Sequence, residues 1–142
     1  MKVSDAMTSE VQLCTPADTL KDAAHMAALA VGLLPVTDND RLVGMISDRD
    51  IAIRGIGMGR GPEARVGDVM TAEVRYCYDD QNLDEVSAIM GDIQVRRLPV
   101  LNRDKRLVGI IALGDIALAQ AGNGTGAALS GISRPGGQHA QF

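Results

Sequence analysis

The chain contains an internal duplication, which constrains its fold more than any other feature of the sequence. The segment Val3–Thr8 (VSDAMT) matches Val66–Thr71 (VGDVMT), and Arg41–Arg54 (RLVGMISDRDIAIR) matches Arg106–Ala119 (RLVGIIALGDIALA). The offset grows from 63 residues at the first match to 65 at the second, which small insertions explain. Matches that keep one order over most of a chain indicate two copies of a single structural unit.

Each copy predicts the element order β-α-β-β-α. Short strands are predicted over Val11–Cys14 and Arg75–Tyr78, and turn-forming residues follow each of them. Thr19 and Asn82 then have an acid three positions later, and apolar residues repeat beyond them at helical spacing. Two further strands and a final helix complete each copy. We therefore predict a mixed α/β fold of the α+β type, in which two units pack sheet to sheet about a pseudo-two-fold axis, because one unit alone leaves a sheet face uncovered.

Composition along the chain predicts four segments. The first unit spans residues 1–57, a Gly-rich linker spans 58–65, the second unit spans 66–121 and a Gly-rich tail spans 122–142. The tail has no sustained apolar period, so we expect it to be flexible or to depend on a partner for order.

Charge and composition argue against several classes of protein. With a net charge of −4, the chain lacks the clustered basic residues with which proteins coat DNA or RNA. One Phe, two Tyr and no Trp are too few for a base-stacking platform. No apolar stretch approaches the ~20 residues of a membrane span, and the N-terminus lacks the apolar run of a secretory signal. We expect a cytoplasmic protein without a nucleic-acid or membrane partner.

The residues that usually carry catalysis or bind metals form no recognisable set. Cys14 and Cys77 stand at equivalent positions of the two copies, which suits either small buried hydrophobic residues or a redox pair. His25 and His139 lack companion ligands at metal-binding spacing. No nucleophile, base and orienting group can be combined, so we predict neither an enzyme nor a metal site.

The end of the apolar strand in Arg41–Arg54 allows two interpretations. Ser47 followed by Asp50 has the spacing of a capping box, and a helix cap contributes about 0.5–2 kcal/mol. The free N–H groups of a helix start also suit a phosphate. The second copy has Ala112 where Ser47 stands and keeps Asp115, so the architecture alone does not demand the hydroxyl.

The repeated motifs resemble those of tandem CBS domains, a family of small adenosine-ligand-sensing units. The resemblance rests on Asp5–Thr8 and Asp68–Thr71 (DxMT), on Leu34–Val36 and Leu98–Val100 (LPV), and on the Leu-Val-Gly strands leading to Asp50 and Asp115. The forms SDRDIAIR and VRRLPV are similar to small bacterial stress-associated CBS pairs, including the hypoxic response type. The resemblance implies a stand-alone CBS-pair (Bateman) module that binds AMP, ADP or ATP, with NAD or S-adenosylmethionine as further candidates. It also implies a homodimer that signals through a separate effector protein.

The resemblance further implies a set of ligand contacts. Gly44, Ser47 and Asp50 fill the family pattern in which the hydroxyl approaches phosphate and the acid accepts hydrogen bonds from ribose. Asp115 keeps only the acid. The other candidates are Arg49, Arg54, Arg96 and Arg97 for phosphate, Leu34, Pro35 and Val36 with the equivalent Pro99 for the purine, and Thr15 and Tyr78 for the base. The competing interpretations are a helix cap, solvated arginines, core packing and surface turns.

Two functions from different classes follow. The leading hypothesis is a non-enzymatic nucleotide sensor, in which ligand enters the cleft at Gly44–Asp50 and shifts the packing of the units or the pairing of modules. The alternative is a ligand-free structural or interaction module in which Ser47 and Asp50 only cap a helix. A thiol switch at Cys14 and Cys77 is a third hypothesis.

Overall fold

The computed structural model describes residues 1–29 and 33–119. The described residues form two compact units: those within Val11–Val74, called the central unit here, and Met1–Glu10 with the described residues from Arg75 onward, called the composite unit. The predicted tail, 122–142, lies outside the described residues. The packing of the two units sheet to sheet stays a prediction.

Helices and strands follow the predicted order, except that the central unit has only an isolated bridge at Cys14 where the strand Val11–Cys14 was predicted. In chain order they are α1 (Val3–Ala6), α2 (Leu20–Leu29), β1 (Leu33–Asp38), β2 (Arg41–Ser47), α3 (Asp48–Asp50), β3 (Cys77–Tyr78), α4 (Leu83–Ile93), β4 (Arg97–Leu101), β5 (Leu107–Ala112) and α5 (Leu113–Ala119). α3 continues as a π-helical turn, Ile51–Gly55, and a 3₁₀ turn, Ile56–Met58, and another 3₁₀ turn spans Val66–Asp68. The α+β class is confirmed. Among the described residues, no helix has the length and apolar character needed to cross a bilayer.

Each unit is built around an antiparallel hairpin. β1 pairs with β2 from Leu33 opposite Ser47 to Asp38 opposite Arg41, and β4 pairs with β5 from Arg97 opposite Ala112 to Leu101 opposite Leu107. Both hairpins contain an irregularity at the equivalent position, after Val36 and after Val100. The same defect in both copies supports the duplication as a structural fact, since such bulges are built features of a sheet.

The strands predicted before the first helix of each copy are shorter than expected. In the composite unit, β3 comprises only Cys77 and Tyr78, parallel to β4. In the central unit, Cys14 alone bridges Val36 of β1, through Cys14 N to Pro35 O (3.1 Å) and Thr37 N to Cys14 O (2.9 Å). Pairing stops there because the next ladder bond would come from the N–H of residue 16, and Pro16 has none, whereas the equivalent Asp79 N donates to Leu101 O at 2.9 Å in the composite unit.

The opening segment of each repeat packs on the body of the other repeat. Thr71 exchanges two backbone hydrogen bonds with Met45 of β2 (2.8 and 2.9 Å), and Thr8 does the same with Ile110 of β5 (2.9 Å each). The residues predicted as a linker, 58–65, also belong to the central unit, where Ala64 O and Pro62 O accept from Leu20 N and Lys21 N at the start of α2. The compact units therefore divide the chain at other points than the sequence repeats do.

Each unit has its own apolar core, formed from equivalent positions. The central core comprises Cys14, Leu20, Ala23, Ala27, Leu34, Val36, Ile46, Val66 and Val69. The composite core comprises Val3, Cys77, Leu83, Val86, Met90, Val95, Leu98, Val100, Ile111 and Ile116. The opening segments supply Val66 and Val69 to one core and Val3 to the other, so burial of these residues ties each opening to its unit.

Candidate functional site

The junction of β2 and α3 in the central unit forms a complete capping box. Ser47 Oγ accepts from Asp50 N at 3.1 Å, and Asp50 Oδ2 accepts from Ser47 N at 3.0 Å. The reciprocal pair satisfies two N–H groups that a helix start would otherwise leave without a partner. The helix cap predicted from the sequence is therefore formed.

Arg54 and Thr71 extend this cap into a longer polar network. Arg54 lies one helical turn after Asp50, and its Nη2 donates to Asp50 Oδ1 at 3.3 Å and to Thr71 Oγ1 at 2.9 Å. The Asp50 side chain is 18% exposed and that of Arg54 is 47% exposed. We call Ser47, Asp50, Arg54 and Thr71 the Asp50 network. It joins a carboxylate, a guanidinium and two hydroxyl oxygens from two distant segments of the chain in one hydrogen-bonded group.

The Asp50 network can both accept and donate hydrogen bonds. Each oxygen of the Asp50 carboxylate has one recorded partner, and a carboxylate oxygen has room for a second donor such as a hydroxyl group. A guanidinium has five N–H donors, and the recorded bonds of Arg54 all leave from Nη2. Arg49 is exposed on the same turn, with its backbone N–H bound to Asp48 Oδ1 at 2.8 Å. The arrangement suits a ligand that carries both hydroxyl groups and an anionic group.

Gly44 is explained by backbone packing without a ligand. A Cβ at this position would lie 2.7 Å from Met70 Sδ and 2.8 Å from Thr71 O. Gly109 is in the same situation, since a Cβ there would lie 2.8 Å from Met7 Sδ and 2.7 Å from Thr8 O. In each unit, the glycine of the Leu-Val-Gly strand makes room for the Met-Thr of an opening segment.

The composite unit has a reduced version of the same cap. Asp115 Oδ2 accepts from Ala112 N at 2.8 Å. Ala112 has no hydroxyl group, so the second bond of a capping box, from the N–H of the acid to that hydroxyl, is missing. Ala119 stands where the central unit has Arg54. Arg97 lies opposite Ala112 in the hairpin, and Arg96 O accepts from Leu113 N at 2.8 Å, so both arginines reach the end of the hairpin where Asp115 lies. Among the described residues neither guanidinium has a recorded ion pair.

The candidates for the purine slot are buried in the structure. Leu34 and Val36 have no exposed surface and belong to the central core. Pro35 and Pro99 are also buried, and they alternate with the core-facing residues of their strands, opposite Met45 and Ile110. The core packing considered for Leu34 and Val36 is thus observed, and a role in ligand binding stays a prediction.

Thr15 and Tyr78 lie away from the caps of their own units. Cys14 is level with Val36, so Thr15 is toward the turn end of β1, whereas Ser47 is opposite Leu33 at the other end. Tyr78 is likewise beside Leu101, at the end of β4 remote from Arg97. Within each unit the structure does not bring these two residues to the capping acid.

The comparisons with known proteins agree with this architecture. The family model of the CBS domain matches residues 3–55 and 66–122, which is most of the chain. The chain belongs to the CBS domain family. The CBS domain-containing protein YhcV of Bacillus subtilis is 40% identical over 133 residues, covering 92% of this chain and 94% of the relative. Hypoxic response protein 1 of Mycobacterium tuberculosis is 38% identical over 116 residues, 80% of each chain.

A solved structure places this similarity in three dimensions. The crystal structure of CBSX2 in complex with AMP matches with a TM-score of 0.72 and 29% identity, covering 83% of this chain and 94% of that one. The tandem CBS pair and its similarity to hypoxic response proteins, both inferred from the motifs, are confirmed.

The two cysteines of the CBS pair are buried free thiols. Burial raises the pKa of Cys14 and of Cys77 to about 12, and the charges of Asp18 and Asp79 add to the effect. A thiol with so high a pKa is protonated at neutral pH and is a poor nucleophile. Across the part of the chain that the structure describes, no three Cys, His, Asp or Glu side chains are grouped as a metal site would require.

Sequence reasoning missed Thr71 as a member of the central CBS site. The sequence did contain a signal for it, because Thr71 ends the second DxMT motif and the same motif occurs at the start of both repeats. What the sequence does not state is that this motif packs on the strand of the first repeat, beside Met45 and Gly44.

Proposed function

We propose that this CBS pair is a regulatory sensor of adenine nucleotides without catalytic activity. The observation that carries the proposal is the Asp50 network, which offers a mostly buried carboxylate beside a half-exposed guanidinium at a helix start. The AMP complex of CBSX2, with 29% identity to this chain, supports an adenosine-type ligand.

In this proposal each group of the Asp50 network has a separate role. Asp50 accepts hydrogen bonds from the ribose hydroxyl groups, because its oxygens retain acceptor capacity. Ser47 and the N–H groups of the helix start meet the phosphate, and Arg54 and Arg49 neutralise its charge. Binding then shifts the equilibrium between two arrangements of the module by the difference in affinity for them.

The competing function is a ligand-free interaction module in which the same network only caps a helix. The specific observation in its favour is that Ser47, Asp50 and Arg54 already satisfy one another without a ligand. A capping role and a ligand role use the same atoms, so binding measurements have to separate the two.

Titration calorimetry with AMP, ADP, ATP, NAD and S-adenosylmethionine tests the sensor. A ligand at roughly 100 times its dissociation constant stabilises the folded state by about 2.7 kcal/mol, so a thermal shift accompanies binding. We expect heat and a shift with at least one of AMP, ADP and ATP. Absence of both with all five compounds rejects the sensor in favour of the interaction module.

A matched pair of variants tests the site assignment. Asp50→Asn and Asp115→Asn make the same change in the two units and keep a side-chain oxygen for the cap. We expect Asp50→Asn to weaken nucleotide binding by about tenfold or more, the loss typical of a charged hydrogen-bond partner, and Asp115→Asn to weaken it less. The reverse order would move the site to the composite unit.

Pairing of two copies is a further part of the proposal. An apolar groove of about 350 Å³ lies between α2 and the turns after α3, lined by residues that include Leu20, Ala24 and Ile56. Ile53, Ile56 and Met58 are exposed on these turns. Cyclic dimers are the commonest assembly, and a second copy would cover such a surface. Light scattering gives the mass directly. A monomer mass at every protein concentration up to about 100 times that used for calorimetry rejects the dimer.

A further inference from the structure

The Arg54 guanidinium is held in the Asp50 network through a single nitrogen. Its Nη2 donates to Asp50 Oδ1 at 3.3 Å and to Thr71 Oγ1 at 2.9 Å. Each terminal nitrogen of a guanidinium carries two N–H groups, so the number of acceptors equals the number of donors on Nη2. Asp50 and Thr71 therefore share one nitrogen of Arg54, and the shorter bond is the one to Thr71.

A guanidinium binds phosphate best through two parallel N–H groups on neighbouring nitrogens. It has two such pairs, Nε with Nη2 and Nη1 with Nη2, and both pairs include Nη2. Because Asp50 and Thr71 are bound to Nη2, a phosphate can form a bidentate contact with Arg54 only by displacing one of them. The bonds within the network therefore compete with the phosphate contact proposed for Arg54.

Thr71 is the acceptor that can give way to a phosphate. It is neutral and partly exposed, so water can replace Arg54 as the donor to its hydroxyl oxygen. The Asp50 carboxylate is charged and only 18% exposed, and loss of its cation beside an incoming anion would leave a mostly buried charge uncompensated. A phosphate that binds Arg54 through a pair of N–H groups thus displaces Thr71.

The charges around the Asp50 network make directed hydrogen bonds more important than net attraction. On the turn after β2, two acids balance two arginines, namely Asp48 and Asp50 against Arg49 and Arg54. Glu73 is exposed shortly after the second DxMT motif and adds a further negative charge. Without an excess of positive charge, a phosphate gains its affinity from the N–H pair that it can reach. A protein acceptor on that pair therefore lowers the affinity for phosphate.

The fold does not require the bond between Arg54 and Thr71. In both units the opening segment is attached through the backbone, by two hydrogen bonds of Thr71 with Met45 (2.8 and 2.9 Å) and of Thr8 with Ile110 (2.9 Å each). In the composite unit an alanine stands at the position of Arg54, so the hydroxyl of Thr8 has no arginine there from which to accept. The bond between the side chains is therefore an addition made in the central unit.

We propose that Thr71 is a specificity-determining residue of the Asp50 network, which lowers its affinity for phosphate by holding the Arg54 guanidinium. The inference rests on the proposed nucleotide site and adds a competing acceptor to it. A ligand without phosphate, such as adenosine, leaves the bond between Arg54 and Thr71 in place. A nucleotide has to exchange Thr71 for its own phosphate, so the bond reduces the preference of the site for nucleotides over the nucleoside.

Titration calorimetry of Thr71→Val with AMP, ADP, ATP and adenosine tests the competition. The variant removes the hydroxyl that accepts from Arg54 and keeps the branched side chain. We expect the nucleotides to bind about fivefold more tightly than they bind the unmodified protein, because one hydrogen bond no longer has to be broken, and adenosine to bind with unchanged affinity. Thr71→Ala lacks the same acceptor and should give the same result. Thr8→Val makes the matched change in the composite unit and should alter neither affinity.

Each of the other outcomes contradicts the competition in a distinguishable way. Weaker nucleotide binding by both Thr71 variants would show that Thr71 positions Arg54 for the phosphate instead of competing with it. A gain for adenosine equal to that for the nucleotides would show a general loosening of the site. Unchanged affinities would reject the competition and leave the nucleotide sensor in place, whereas absence of binding to the unmodified protein and to every variant would reject both.

Discussion

The central and composite units begin the helix after their hairpins with the same acid, but they surround it differently. Asp50 forms a reciprocal capping box with Ser47 and an ion pair with Arg54, whereas Asp115 accepts only from Ala112 N. Both arrangements hold a helix start in place. The acid is thus common to the scaffold, while the hydroxyl and the arginine are specific to one copy.

The arginines close to the two caps come from different elements. In the central unit it is Arg54, on the helical turn after Asp50, and the strand position opposite Ser47 is Leu33. In the composite unit the position opposite Ala112 is Arg97, and Ala119 replaces Arg54. The arginine beside the cap thus lies on the helical turn in one unit and on the strand in the other.

Both units pack a strand glycine against the Met-Thr of an opening segment, and substitution of these glycines should cause the largest losses of stability. Gly44→Ala and Gly109→Ala each force a Cβ to within 2.8 Å of backbone oxygen and of a methionine sulfur. Overpacking of this kind costs about 1–3 kcal/mol, and we expect similar losses for the two variants in urea denaturation. Gly114→Ala is the control, because a Cβ there meets nothing within 4 Å. A large loss at only one of the two glycines would break the equivalence of the opening segments.

The buried thiols should respond to pH in the same way in both units. The folded-state pKa of Cys14 and Cys77 is about 12, above the ordinary value of 9.0. From pH 9 upward the unfolded chain loses these protons while the folded chain keeps them, so stability is full below pH 9 and falls as pH rises toward 12. Urea midpoints at pH 8 and about 10.5 measure the fall, which Cys14→Ala and Cys77→Ala should each reduce. An undiminished fall in one variant would show that its thiol is not protected.

Exchange of the capping residues should have a moderate effect. Ser47→Ala removes the hydroxyl that accepts from Asp50 N and should cost about 1 kcal/mol of unfolding free energy. Ala112→Ser adds a hydroxyl group that can accept from Asp115 N, and it should raise the free energy of unfolding by part of that amount. Urea denaturation of both variants checks this. If Ala112→Ser destabilises the protein, the second cap differs from the first in more than the missing hydroxyl.

Much of the architecture was predictable because local spacing determines it. The reciprocal hydrogen bonds of Ser47 and Asp50 follow from a cap residue and an acid three positions apart, and Thr19 and Asp22 form the same pair at the start of α2. The β-α-β-β-α order followed from the repetition of apolar runs between such caps. These features depend on neighbours in sequence, which the chain states directly.

The remaining features depend on contacts between distant segments. Two identical motifs do not reveal which copy each one packs on, so the pairing of Thr71 with Met45 and of Thr8 with Ile110 was not predicted. The presence of Thr71 in the Asp50 network was missed for the same reason. The packing of the Tyr78 ring with Tyr76, Arg103 and Lys105 was not predicted either, since the sequence placed Tyr78 only at the end of a strand.

Arg54→Gln should have the smallest effect on stability, and it separates helix capping from the proposed ligand binding of the Asp50 network. Arg54 is half-exposed and its ion pair with Asp50 spans 3.3 Å, so the pair contributes about 0–0.5 kcal/mol to folding. Nucleotide affinity should nevertheless fall several-fold if the guanidinium meets a phosphate, and calorimetry alongside urea denaturation measures both quantities. A stability loss of about 1.5 kcal/mol with unchanged affinity would mean that Arg54 mainly anchors the opening segment through Thr71. In that case the difference between the two caps would be structural, and the interaction module would become the better description of this CBS pair.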